Sequence, residues 1–81
     1  VQLNALGYGL MQGGNLSAAI VVFELNAADY PQSFNPWDSL GEGYMNAGRT
    51  QDAIEAYEKS LALNPANQNA IDMLAKIRGG Q

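Results

Sequence analysis

The sequence predicts an all-α chain of antiparallel helix-turn-helix repeats, wound into a short right-handed superhelix of five helices. Three observations carry that prediction. Apolar residues recur at helical spacing, as at Leu3, Leu6, Leu10 and Met11, and no strand-like alternation competes. Gly and Pro punctuate the chain at Gly13-Gly14, Pro31, Gly48 and Pro65. The chain also matches itself at a shift of 34 residues. In that register Leu6-Gly7 falls on Leu40-Gly41, Leu10-Met11 on Tyr44-Met45 and Gly14 on Gly48. Ala19-Ile20 falls on Ala53-Ile54, Phe23-Glu24 on Tyr57-Glu58, Pro31 on Pro65 and Leu3 on Trp37. A third unit opens near Gln68, with Ile71, Leu74 and Ala75 in the places of Trp37, Leu40 and Gly41.

Each element has its own start and stop. The first helix is expected over 2–12, closed by Gly13-Gly14, because glycine takes a positive φ without steric cost. Asn15 or Ser17 can cap the second, which runs to about Ala28 or Tyr30 and stops before Pro31. Val21 and Val22 lower its intrinsic propensity, so packing must hold it. Asn35-Pro36-Trp37-Asp38 reads as a helix start, with Asn35 as cap and Pro36 in the first position. That helix reaches Ala47, and Gly48 closes it. The fourth opens at Thr50 or Gln51 and ends near Leu63-Asn64, with Glu55 and Lys59 spaced as an i, i+4 pair. Asn67 caps a fifth helix to about Arg78, and Gly79-Gly80-Gln81 is expected to fray. Connections this short make sequential helices antiparallel neighbours.

This pattern resembles the tetratricopeptide repeat. With Phe34 as the first position, the signature falls on Trp37, Leu40, Gly41, Tyr44, Gly48, Ala53, Tyr57 and Pro65, and Ser60 stands where a small alanine is usual. The first unit keeps Leu6, Gly7, Gly14, Ala19, Phe23 and Pro31, with Leu3, Leu10 and Asn26 as departures. The expected organisation is a single domain over 1–81, with repeat one at 1–33, repeat two at 34–67 and a capping helix at 68–78. Gly7 and Gly41 should let paired helices approach closely, and Ala19 and Ala53 should present small surfaces. Trp37, Leu40, Tyr44, Ile54 and Tyr57 should fill the space between units, and Ile71, Leu74 and Ile77 should pack the last helix on the second unit. Gly43 reads as an exposed helix position.

A narrower resemblance is carried by Leu3-Asn4-Ala5-Leu6-Gly7-Tyr8, Val22-Phe23-Glu24-Leu25-Asn26 and Trp37-Asp38-Ser39-Leu40-Gly41-Glu42. These phrases look like the C-terminal repeat extensions of some bacterial serine hydrolases of the beta-lactamase and penicillin-binding superfamily. That resemblance implies a bacterial origin and an accessory role. It lends no catalysis, because the catalytic serine-lysine motif of those enzymes has no counterpart in these residues.

Composition narrows the chemistry. The 81 residues hold neither Cys nor His, which removes thiol nucleophiles, Cys-based metal sites and the commonest general base near neutral pH. Four basic residues against eight acidic ones give a net charge of -4, too little positive charge for a phosphate-binding stripe or an anionic membrane surface. No apolar run approaches the ~20 residues of a membrane span. Asp38 with Glu42, Glu55 with Glu58 and Asp72 with Lys76 share helix faces but read as surface charge. Gly7-Tyr8-Gly9 lies in a helix pattern and is no nucleotide loop, and Asp29, Asp38 and Asp52 are too scattered for a calcium loop. Asn15-Leu16-Ser17 fits a glycosylation acceptor but reads as a helix start. No catalytic residue, cofactor or metal is expected. The start at Val1 without Met reads as an excised piece, so the compartment, cytoplasmic or periplasmic/secreted, follows from the parent protein.

The resemblance implies that the first helix of each unit lines a concave face. Unit one then contributes Asn4, Tyr8, Met11 and Gln12, unit two Asp38, Glu42, Met45 and Asn46, and the last helix Asp72 and Lys76. Peptide-binding members of the family use Lys, Arg and Asn there to clamp a terminal carboxylate. Tyr8, Asp38 and Glu42 stand in place of those donors, so a carboxylate clamp is not expected. The expected role is a non-catalytic protein or peptide interaction module, whose partner is basic and apolar and is not nucleic acid. The rival is docking on a catalytic domain of the same chain. Two repeats also leave a terminal apolar side, which leaves weak self-association open.

Overall fold

A computed structural model describes residues 3–79. Among them are five helices and no strand: α1 (Asn4–Gln12), α2 (Leu16–Asp29), α3 (Phe34–Asn46), α4 (Thr50–Leu63) and α5 (Gln68–Arg78). Gln2, expected to open α1, and Gly80 and Gln81, expected to fray, lie outside the described residues. α1 pairs with α2 and α3 with α4, α2 stacks on α3, and α5 packs on α4 in a superhelical arrangement. Gly14 and Gly48 take φ of 88° and 75° at the two hairpin turns, a conformation that costs glycine nothing.

Close packing within each hairpin rests on one ring against one glycine. A Cβ on Gly7 would lie 2.4 Å from the Phe23 ring, and one on Gly41 would lie 2.8 Å from the Tyr57 ring. Ala19 and Ala53 are fully buried beside them, and Ile20, Ala27, Leu40, Tyr44, Ala56, Ala70 and Leu74 join them in the core. The small-residue position differs between units but acts alike in both. Asn26 is fully buried, accepts from the Leu3 N–H at 3.0 Å and donates to Asn4 Oδ1 at 3.2 Å. Ser60, its register mate, donates to the Phe34 carbonyl at 3.0 Å and accepts from Asn67 Nδ2 at 2.9 Å. Each therefore ties the start of its unit's first helix to the second helix.

Several expectations need correction. α3 begins two residues before Pro36, with Ser33 at the cap position and no side-chain cap bond, so Asn35 lies inside the helix. Pro36 is tolerated there because first-turn N–H groups have no intrahelical partner. Of the two candidates to cap α2, Asn15 is the one, accepting from the Ala18 N–H at 3.4 Å. Asn67 holds the cap position of α5 but makes no side-chain cap bond, its side chain being turned so that Nδ2 donates to Ser60 Oγ. Glu55 and Lys59 do not pair. Lys59 instead stands over the half-buried Trp37 ring, 5.7 Å from its centroid. Trp37 staples the turn between units, its indole N–H donating to the Pro31 carbonyl at 3.1 Å. Gly43 is buried, and a Cβ there would lie 3.1 Å from Phe23.

Leu6 and Ile71 are 54% and 39% exposed, although Leu40 and Trp37 occupy the same register positions. Leu40 lies in a bundle with helices on both sides of α3. The described residues supply no helix before α1 or after α5.

Candidate functional site

The first helices α1, α3 and α5 carry the ten residues expected on the inner face, and the fold divides them into groups. Tyr8, Met11 and Gln12 of α1 and Glu42 and Asn46 of α3 line one groove of about 510 Å³, floored in part by Leu16. Register explains the meeting, since Tyr8 and Glu42 are 34 residues apart on successive first helices. The Tyr8 hydroxyl donates to Glu42 Oε1 at 2.8 Å, and its oxygen lies 3.2 Å from the hydroxyl of buried Ser39. The Tyr8 ring meets Phe23 edge-on, with centroids 5.1 Å apart. Asn46 Nδ2 reaches Met11 Sδ at 3.0 Å.

Met45 and Lys76 belong to a second, smaller cavity of about 180 Å³ between α3 and α5, with Thr50, Met73 and Ile77. Tyr8, Met11 and Met45, all expected on the inner face, thus fall in two separate depressions. Asp38 receives the Asn69 amide on both carboxylate oxygens, at 3.1 and 3.0 Å, and so bridges α3 to α5. Asp72 accepts from Gln68 on its own helix at 2.8 Å. Asn4 is half-buried, its amide held between Asn26 and Asn35. Ser39, Asn26 and Asn69 are the contributors that the sequence reading missed. The first two sit at buried helix positions where the sequence pattern leads one to expect small apolar residues, and Asn69 is an exposed amide with no pattern around it.

The electrostatics keep the groove acidic and the tyrosines neutral. Burial, opposed by the Ser39 contact and reinforced by the bond to Glu42, pushes the Tyr8 hydroxyl up to about 12. Tyr44, on the outer side, is pushed up to about 12 by burial and by its 2.6 Å bond to Glu24 Oε2. Burial also raises Tyr57, with added repulsion from Asp38 and Glu42. Among the described residues no group of three or more Asp or Glu is arranged to hold a metal, and no helix is long and apolar enough to cross a membrane. The arrangement offers shallow depressions with apolar walls and, in the α1–α3 groove, one carboxylate in the lining.

Residues 34–67 match the family model of the tetratricopeptide repeat. The match spans α3, α4 and the turn that follows, so this stretch is similar to a tetratricopeptide repeat, and the five-helix fold is tetratricopeptide-like. No curated protein matches the chain.

Proposed function

We propose that this chain is a non-catalytic interaction module whose inner face, from Asn4, Tyr8, Met11 and Gln12 through Asp38, Glu42, Met45 and Asn46 to Asp72 and Lys76, receives a protein segment of basic and apolar character. In this reading 1–33 and 34–67 are two repeats and 68–78 caps them, the whole forming one domain. The observation that carries it is the groove between α1 and α3, which holds apolar walls and a single charged residue, Glu42. Opposite charge on the partner speeds encounter and sets orientation more than it adds affinity. The acetylated, amidated peptide LSLKLSG should bind, and its counterpart with glutamate for lysine should not. Added salt should weaken the complex, because exposed charges are screened within about 8 Å at physiological ionic strength. Tighter binding of the acidic peptide would sink the reading.

A second reading, docking on a catalytic domain of the same polypeptide, is favoured by a different surface. Leu6, Val21 and Leu25 are 54%, 54% and 53% exposed on neighbouring helices α1 and α2. In the second unit Leu40 is buried, and Glu55 and Lys59 stand where Val21 and Leu25 do. Unit one thus exposes three large apolar side chains beside Glu24 where unit two is polar or buried, as a covered surface would. In a longer polypeptide carrying such a domain, Val21→Glu should speed amide exchange across α2. In the 81 residues alone it should not, and equal behaviour in both contexts would remove this reading.

A further inference from the structure

We propose that the groove between α1 and α3 takes one lysine side chain of the bound segment, with Glu42 as its acceptor and Tyr8 as the residue that positions Glu42. This rests on the inner-face reading above and narrows it to a single side chain. The three acids of that face differ in what they have left to offer. Asp38 has both oxygens engaged by Asn69, and Asp72 accepts from Gln68. Glu42 spends Oε1 on Tyr8, and its Oε2 has no hydrogen-bond partner among the described residues.

Among the described residues no cation answers Glu42. Arg49 pairs with Asp52, Arg78 with Glu58, Lys59 covers Trp37, and Lys76 lines the other cavity. The walls suit a lysine stem. Tyr8, Met11 and Leu16 are half-buried and can cover four methylenes, while Gln12 and Asn46 bring amide groups to the rim. One open oxygen suits an ammonium, a compact charge, better than a guanidinium fork, which is matched by two. Tyr8 holds the carboxylate from within, pinned itself by Phe23 and Ser39, so Glu42 faces the groove without a large ordering cost.

The test is a double-mutant cycle read by calorimetry. Wild type, Glu42→Gln and Tyr8→Phe are each titrated with the peptide LSLKLSG and with its norleucine counterpart, after thermal unfolding has shown all three folded. Norleucine should weaken wild-type binding about tenfold, the scale of one charge-assisted hydrogen bond. Glu42→Gln should cost as much, and in that variant lysine and norleucine should bind equally. Tyr8→Phe should cost less and leave part of the lysine preference. Additive losses, or a lysine preference that survives Glu42→Gln, overturn the assignment to this groove and leave the inner-face reading standing. Failure of every peptide to bind wild type overturns both.

Discussion

The Phe23 ring lies between two glycines, 2.4 Å from a Cβ built on Gly7 and 3.1 Å from one built on Gly43. It is fully buried and cannot retreat from either. Gly43→Ala should therefore destabilise, although alanine is the better helix former by about 1 kcal/mol. A methyl on Gly9 would meet nothing within 4 Å, so Gly9→Ala should stabilise by about that amount. Gly41→Leu should cost about 1–3 kcal/mol or more by overpacking Tyr57. Chemical denaturation of the three variants checks the order, and equal effects would contradict it. The sequence made Gly7 and Gly41 legible through the register but left Gly43 obscure. That position faces the neighbouring unit, and helical periodicity within one helix does not say which side a second neighbour will occupy.

At the scale of elements, the helices and their breaks were readable because glycine and proline mark them, while the side-chain ties between helices were not. Asn26 illustrates the difference. It reads as a departure from alanine, yet it holds the entry of α1 through the Leu3 N–H and Asn4. Asn26→Ala should then destabilise by about 1–3 kcal/mol, although it moves toward the commoner residue, because a half-buried N–H and an amide lose their partners. Urea unfolding of that variant decides it, and a neutral result would show that water satisfies both groups. Ser60→Ala is the matching experiment in the second unit, where the Phe34 carbonyl and Asn67 are at stake. Cap positions were legible only in part: Asn67 holds the cap position of α5 as its residue type suggests, but its side chain turns to Ser60 and not to the first-turn N–H groups.

For the whole molecule, raised tyrosine ionisation links stability to pH in one direction. A phenol whose folded value lies above its ordinary value of 10 contributes stability that is complete below about pH 10 and is lost as pH rises toward about 12. The fold should hold steady through neutral pH and loosen within that alkaline window, as circular dichroism alongside phenolate absorbance would show. Unfolding that runs ahead of tyrosine ionisation would contradict this. The inner face is an expectation drawn from the family resemblance, whereas the superhelical arrangement was legible from the 34-residue register. The division of that face was not, because it depends on where Asn69, Ser39 and Asn46 send their polar groups. The three methionines report on that division directly. Met11 lines the α1–α3 groove, whereas Met45 and Met73 line the cavity beside α5. The most direct test is a titration of methyl-labelled protein with the peptide LSLKLSG, followed by methyl resonances. The expected result is a saturable shift of Met11 that added salt diminishes and that the glutamate peptide does not produce. A shift of Met45 and Met73 with Met11 unmoved, or the same response to the acidic peptide, would contradict it.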